Sequence, residues 1–170
     1  ILSLHTALHN RTYHHGLYQH FRISDPKPRD IHKATVCDRL LHHAVYRILY
    51  PFFDPTFIYD SYSCRKEKGT HKALNRFCSL ASWVSDDNRR SCFVLQCDIR
   101  KFFASIDHGI LLHILARSIH DPDTLWLLER IIGSFHSGTA GIGLPLGNLT
   151  SQLFVNIYLN EFDQFAKHEL

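Results

Sequence analysis

The chain has 170 residues, 45% of them hydrophobic, which is enough apolar material for one sizeable core. No apolar run approaches the roughly 18 residues that cross a bilayer, no secretory leader is recognisable and no Met occurs, so we expect a soluble, cytoplasmic protein and a partial sequence. The first 97 residues carry 14 Lys and Arg against 8 Asp and Glu, and the remainder carries 5 against 8. This division suits a protein that grips phosphates with one part and holds metal ions with the other.

The cysteine and histidine patterns favour neither a disulfide framework nor a zinc site. The five cysteines include no CxxC pair, and their number is odd. The adjacent pairs His14-His15 and His42-His43 would point in different directions on a helix. Their spacing therefore argues against zinc binding.

The first part of the chain is predicted to contain an extended segment and two helices. Two prolines hold residues 25–30 in an extended course. A helical apolar stripe follows over residues 38–50, where Asp38 is the predicted N-cap and Pro51 ends the helix. A second stripe of this kind predicts a helix over residues 71–84.

The second part is predicted to contain a strand, three helices and a glycine-rich turn. Alternating apolar residues predict a strand over residues 93–99, with Asp98 facing the other side near its end. Helices are predicted over residues 108–119, 122–133 and 148–168, and residues 133–147 read as a hairpin or loop. Because strands and helices alternate without a regular βαβ rhythm, we expect an α+β fold.

Asp98 is the first residue with a pattern that suggests chemistry. A carboxylate leaving a buried strand is costly to desolvate unless it is exposed or paired with a cation. Arg100, Lys101 and the pair Phe102-Phe103 follow at once, and this basic and aromatic combination suits a nucleotide. Taken alone, an Asp at the end of a strand is more often a cap or turn residue.

Two further segments suit phosphate or nucleotide binding. Residues 60–74 place four cations around Gly69 just ahead of a helix, where free backbone N–H groups can meet an anion. Residues 141–152 are rich in glycine, which lets a backbone approach a ligand closely. The alternatives are a solvated surface loop for the first, and for the second a hairpin followed by a helix capped by Asn148 or Thr150.

Together and in this order, the segments resemble the reverse transcriptase family, over roughly residues 20–168. Residues 22–50 resemble the family's opening block, and residues 60–74 resemble its fingers block. Residues 93–108 resemble polymerase motif A, and residues 143–160 resemble polymerase motif B. The motif A pattern DIxxFFxSIDH is intact. Four ordered motifs at family spacing are far more specific than any one of them.

The resemblance implies a right-hand polymerase, with fingers over residues 1–92 and an incomplete ferredoxin-like palm over residues 93–170. The implied reaction is RNA-templated DNA synthesis with two Mg²⁺ ions, or Mn²⁺ in their place. Asp98 would bind both ions, and the backbone carbonyl of Ile99 would complete one shell. The family's later motif with two further aspartates, and its thumb, do not occur in the sequence, so we expect these residues alone to be inactive.

The resemblance also implies roles for particular side chains. Phe103 stands at the steric gate that excludes the ribose 2′-OH, and Asp107 is more simply a helix cap. The expected dNTP-binding residues are Arg65, Lys68, Phe102, Phe103, Gly147 and Gln152. The expected nucleic-acid-binding residues are Lys27, Arg29, Lys66, Lys72, Asn148 and Ser151.

Motif B departs from the common pattern, since Leu146 stands where Gln is usual and Gln152 where Pro is usual. This form is similar to the reverse transcriptases of diversity-generating retroelements, which copy a template RNA into adenine-mutated cDNA with a small basic accessory protein. The implied partners are therefore template RNA, primer and cDNA, dNTPs and such an accessory protein, and no membrane. A group II intron maturase, a defence-associated reverse transcriptase and a non-catalytic RNA-binding domain are the alternatives.

Overall fold

The computed structural model of the chain describes residues 2–24 and 27–170. Over these residues it contains seven α-helices, one 3₁₀ turn (Asp54–Thr56) and one two-stranded antiparallel sheet, which confirms the predicted α+β class. The helices are α1 (Leu2–His9), α2 (Val36–Phe53), α3 (Thr70–Val84), α4 (Phe102–Ser105), α5 (His108–Ala116), α6 (Pro122–Ile132) and α7 (Leu149–His168). The strands are β1 (Gln19–Ile23) and β2 (Arg29–Lys33).

The sheet is a hairpin that pairs Gln19 with Lys33 and Ile23 with Arg29. Of the extended segment predicted over residues 25–30, residues 25 and 26 lie outside the described part and residues 29 and 30 begin β2. The described residues form no other sheet, so a ferredoxin-like palm is not seen there. The polymerase fold and its division after residue 92 stay predictions.

Helix α2 begins differently from the prediction. Its N-cap is Thr35, whose hydroxyl oxygen accepts a hydrogen bond from the Asp38 backbone N–H at 3.2 Å. The predicted cap Asp38 was therefore wrong, because its carboxylate instead turns inward and accepts hydrogen bonds from the Tyr13 hydroxyl at 2.7 Å and the Gly16 N–H at 3.1 Å. Burial alone would raise the pKa of Asp38, but the hydrogen bonds from the Thr35 hydroxyl, the Tyr13 hydroxyl and the Gly16 N–H, together with the nearby His15, outweigh burial and hold it below its ordinary value.

The predicted end of α2 was also wrong, since Pro51 lies inside the helix. Proline removes one helical hydrogen bond. Leu49, Tyr50 and Phe53 are all buried in the core, and their packing outweighs that loss and carries the helix to Phe53.

The core lies where α2 and α5 pack on α7 and α6 packs on α5. Leu41, Val45 and Leu49 recur every four residues along α2, so they form one buried stripe. The central side chains of the other helices are Leu111 and Leu115 of α5, Leu128 and Ile132 of α6, and Leu153, Phe154 and Ile157 of α7. None of the helices in the described part is long and apolar enough to cross a membrane.

Helices α3, α6 and α7 match their predicted positions within one residue, whereas α5 ends at Ala116, earlier than predicted. Asp107 caps α5 as predicted, because its carboxylate accepts a hydrogen bond from the Ile110 N–H at 2.9 Å. The predicted strand over residues 93–99 is absent. Phe93 is 98% exposed and Leu95 is 89% exposed, and no described segment pairs with them, so the alternating pattern alone does not form a strand.

Candidate functional site

The motif A and motif B segments are joined by backbone hydrogen bonds. The Leu144 N–H donates to the Phe103 carbonyl oxygen, and the Gly143 N–H donates to the Ile106 carbonyl oxygen, both at 2.7 Å. Backbone bonds of this kind fix the register of the two segments. The glycine-rich turn therefore lies directly beside the residues that follow Asp98.

Strand β2 holds the other side of this turn. The His32 N–H donates to the Leu146 carbonyl oxygen at 2.9 Å, and the Asn148 side-chain amide donates to the His32 carbonyl oxygen at 3.4 Å. Gly147 has a φ of 110°, and a Cβ atom there would lie 2.9 Å from Cγ2 of Ile31. The opening block, motif A and motif B thus converge on one turn, with Gly147 as the point of closest approach.

We expect Gly147→Ala to destabilise the protein by about 1–3 kcal/mol, because a side chain would meet both an unfavourable φ and the Ile31 side chain. Gly138 is the matched control, since its φ is also positive, 94°, but a Cβ atom there would meet nothing within 4 Å. Urea unfolding of Gly147→Ala and Gly138→Ala separates the two contributions. Equal losses of stability would show that the contact with β2 adds nothing.

A cleft of about 580 Å³, here the hairpin cleft, opens between β2, α4 and the turn. Its lining includes five residues singled out in the sequence, which the structure brings together: Arg29, Lys101, Phe102, Phe103 and Leu146. Lys101 adds a second cation. Cationic and aromatic side chains around one concave surface can bind phosphate and stack on a base.

An aromatic cluster beside the hairpin cleft was not predicted. The ring centroids of His32 and Phe135, which both line the cleft, are 4.6 Å apart, and the Tyr18 ring lies 5.8 Å from Phe135 at 90°. Burial raises the pKa of Tyr18 to about 12 and lowers the pKa of His32, so both stay uncharged at neutral pH. Because these residues are far apart in sequence and carry no motif, no local pattern indicates their association.

A second cleft, here the basic cleft, has a volume of about 650 Å³ and lies between the loop over residues 57–69 and α3. Its lining contains five cations: Arg65, Lys66, Lys68, Lys72 and Arg76. The Lys68 ammonium lies 4.0 Å from the centroid of the Tyr59 ring and donates to the Tyr59 carbonyl oxygen at 2.7 Å. This density of positive charge suits a polyanion such as a triphosphate.

Arg65 differs from the other cations of the basic cleft because its guanidinium is turned inward. It donates to the Asp54 carboxylate at 2.8 Å and to the carbonyl oxygens of Ile58 and Ser61 at 3.0 and 3.1 Å. Its side chain is 8% exposed, and its hydrogen bond holds the pKa of Asp54 below the ordinary value. These hydrogen bonds fix the shape of the loop around Arg65, and its predicted contact with a dNTP stays a prediction.

Helix α7 connects the two clefts. Its first turn follows Gly147, while farther along the helix the Asn156 side-chain amide donates to the Ser63 carbonyl oxygen at 2.8 Å. Near its end, Lys167 and Arg76 each place a nitrogen 2.9 Å from the Asp60 carboxylate. Burial alone would raise the pKa of Asp60, but these two cations hold it below its ordinary value.

The remaining predicted residues fall into exposed and buried groups. Lys27, Lys66, Lys72 and Gln152 are exposed and available to a ligand. Asn148 and Ser151 are only 3% and 2% exposed, so a contact with nucleic acid would require the turn to open. Gly147, Asn148 and Gln152 line a small pocket of about 290 Å³ at the start of α7.

Asp98 is exposed and lies outside the linings of both clefts. Its carboxylate and the Ile99 carbonyl are oxygen donors of the kind Mg²⁺ prefers. Over residues 2–24 and 27–170, however, no three His, Cys, Asp or Glu side chains gather as a metal centre would require. The residues present therefore fit part of a magnesium site, and the two-ion assignment stays a prediction.

Comparison with known proteins found no matching family model. The chain is 29% identical over 152 residues to protein YkfC of Escherichia coli strain K12, covering 86% of this chain and 39% of that protein. It is 27% identical over 150 residues to group II intron-encoded protein LtrA of Lactococcus lactis subsp. cremoris, covering 82% and 23%. It is 28% identical over 138 residues to the nuclear intron maturase 4, mitochondrial, of Arabidopsis thaliana, covering 76% and 16%. The chain therefore spans less than half the length of each of these relatives.

Proposed function

This chain is a homologue of group II intron-encoded proteins and intron maturases, a reverse transcriptase-related group, and from this premise we propose that it is part of an RNA-directed DNA polymerase. The observation that carries the proposal is the convergence of three motif segments on the hairpin cleft. The Leu144 N–H donates to the Phe103 carbonyl oxygen there, and the Leu146 carbonyl oxygen accepts from the His32 N–H of β2. The three segments that resemble the opening block, motif A and motif B of a polymerase thus line one surface.

In the proposed reaction, the 3′-OH of a primer attacks the α-phosphate of a dNTP. A new O–P bond forms, the bond to the pyrophosphate breaks, and the proton of the 3′-OH leaves. Asp98 and the Ile99 carbonyl would hold Mg²⁺, which when bound lowers the pKa of the attacking hydroxyl and neutralises the leaving pyrophosphate.

The two clefts would bind different parts of the nucleotide and nucleic acid. Aromatic residues of the hairpin cleft offer surfaces for the base and sugar, and Arg29 faces the same space. Lys66, Lys68 and Lys72 of the basic cleft would neutralise phosphate charge. Primer extension by the full protein on an RNA template with a DNA primer tests the proposal, and no dNTP incorporation under any divalent-ion condition would contradict it.

We expect Phe103→Ala to let the full protein insert ribonucleotides, because the large ring would otherwise occupy the space that a 2′-OH needs. Phe102→Ala is the matched control, since the Phe102 ring packs near Tyr158 of α7, with centroids 6.4 Å apart. The ratio of rNTP to dNTP incorporation should rise at least tenfold, about 1.4 kcal/mol of discrimination, in the first variant alone. An unchanged ratio would place the gate elsewhere.

The finer assignment to a diversity-generating retroelement rests on Leu146 and Gln152, which depart from the common motif B pattern. The names of the relatives favour a second candidate, an intron maturase. Sequencing of the cDNA separates the two candidates. Errors concentrated at template adenines would support the retroelement enzyme and, with it, a small basic accessory protein as a partner. Even, low error at all four bases combined with stimulated splicing of an intron would support the maturase.

A further inference from the structure

Three buried side chains form a hydrogen-bonded chain behind the glycine-rich turn. Nε2 of His15 lies 3.1 Å from Nε2 of His42, and Nδ1 of His42 lies 2.7 Å from the hydroxyl of Thr150. His42 is 3% exposed and Thr150 is 1% exposed, and the His15 side chain is 2% exposed. The chain links the N-terminal segment, the middle of α2 and the first turn of α7.

The uncharged form of this chain has only one proton arrangement. Nδ1 of His15 lies 2.7 Å from the Gly16 carbonyl oxygen, which can only accept, so His15 carries its proton on Nδ1. Its Nε2 must then accept from Nε2–H of His42, which leaves Nδ1 of His42 as an acceptor for the Thr150 hydroxyl. Each of these polar atoms has a partner in that arrangement.

The surroundings of His42 disfavour its protonated form. Burial and the neighbouring His15 lower the pKa of His42 to about 4, with His43 acting in the same direction. Asp38 acts in the opposite direction, and its carboxylate lies 3.9 Å from Nδ1 of His15. The other titratable neighbours are Tyr13 and Tyr18 from the N-terminal segment and Arg39 from α2. Thr150 of α7 contributes a neutral hydroxyl at the positive end of that helix, where an imidazolium is disfavoured.

We propose that the His15–His42–Thr150 chain is a positioning device for the first turn of α7, which holds the residues Gly147–Gln152 in place only while the His42 imidazole is neutral. A proton on Nδ1 of His42 obliges the Thr150 hydroxyl to turn from donor to acceptor, so the link from α2 to the first turn of α7 is rearranged. The inference rests on the proposed function only in giving Gly147–Gln152 a role in nucleotide binding.

An NMR titration of the wild-type protein tests the device without any enzymatic assay. With ¹⁵N-labelled histidine, His42 should remain in its Nε2–H tautomer down to about pH 4. The backbone amides of Gly147 and Asn148 should then shift with the same midpoint. Protonation of His42 near pH 6.5, its ordinary value, or turn amides that ignore its titration would overturn the proposal.

Two variants separate positioning from simple folding. In Thr150→Val, His42 should still titrate but the turn amides should no longer follow it. In His42→Gln the turn amides should lose the pH dependence centred at about pH 4, whereas His43→Gln, at the exposed neighbour on α2, should keep it. If His42→Gln does not fold, the wild-type titration still decides.

The activity of the full protein gives the last readout. The rate of dNTP incorporation should fall at low pH with the same midpoint as the chemical shifts of the turn amides. In Thr150→Val this midpoint of activity should move. A midpoint of activity that stays in place in this variant would contradict a role for the device in nucleotide binding. If the full protein incorporates no dNTP at all, the proposed function is wrong. The NMR titration still tests the positioning device, because it does not depend on activity.

Discussion

An Asp98→Asn substitution in the full protein is expected to abolish primer extension and to leave RNA binding largely intact. In the proposed reaction the Asp98 carboxylate would hold Mg²⁺, and a neutral amide could not supply its negative charge. Asp98 is exposed, so the change should leave the folded structure and its stability nearly unaltered. Extension of a labelled DNA primer on an RNA template measures the first effect, and binding of the same RNA at several salt concentrations measures the second.

Asp107→Asn is the matched control for this experiment, because Asp107 lies in the same motif A segment but caps α5. Asn is also a good N-cap residue, so we expect a change in stability of only a few tenths of a kcal/mol and retained extension. Near-normal extension by the Asp98 variant, or equal loss in both variants, would remove Asp98 from the proposed reaction.

An Arg65→Ala substitution is expected to lower the free energy of unfolding by roughly 2–3 kcal/mol, since truncating one partner of this partly buried pair leaves the other groups without a donor. Asp54 would lose its cation, and the carbonyl oxygens of Ile58 and Ser61 would lose their donors. Lys66→Ala is the control, because Lys66 is the exposed neighbouring cation and should change stability by at most ~0.5 kcal/mol. Urea unfolding at neutral pH compares the two.

The same pair predicts a pH dependence. Arg65 lowers the folded-state pKa of Asp54 below its unfolded value of 3.8, so the stabilisation is fully present above that value and is lost as the pH falls through the folded pKa. The difference in stability between wild type and Arg65→Ala should therefore shrink below pH 3.8. A difference that stays constant down to pH 2 would show that Arg65 acts through packing and its carbonyl partners alone.

The residue patterns alone predicted the helical elements from α2 onward, except the four-residue α4, because repeated apolar spacing is a local property of the chain. They also predicted the Asp107 cap, which depends on hydrogen bonds within a single turn. The motif order predicted a likeness to reverse transcriptases, and the proteins that the chain resembles include a group II intron-encoded protein and an intron maturase. Each of these inferences needed only neighbouring residues or a familiar spacing.

The tertiary structure decided what each polar or apolar side chain meets. Asp38 has the residue type of a cap, yet Tyr13 and Gly16 draw its carboxylate inward. Arg65 has the residue type of a phosphate ligand, yet the residues around it supply four acceptors, the Asp54 carboxylate and three backbone carbonyl oxygens. The alternation in residues 93–99 indicates a strand, but pairing requires a neighbour that the described residues do not provide.

The association of His15, His42 and Thr150, like the docking of Gly147 on Ile31, joins residues that lie far apart in the chain. No local pattern encodes such contacts, because they depend on how α2 and α7 pack and on where the hairpin lies against the turn. The free energy of a buried hydrogen bond or of a close contact depends on all the groups that exclude water from it. For that reason the motifs and most helices could be predicted from sequence, whereas the surroundings of the candidate site emerged only from the folded chain.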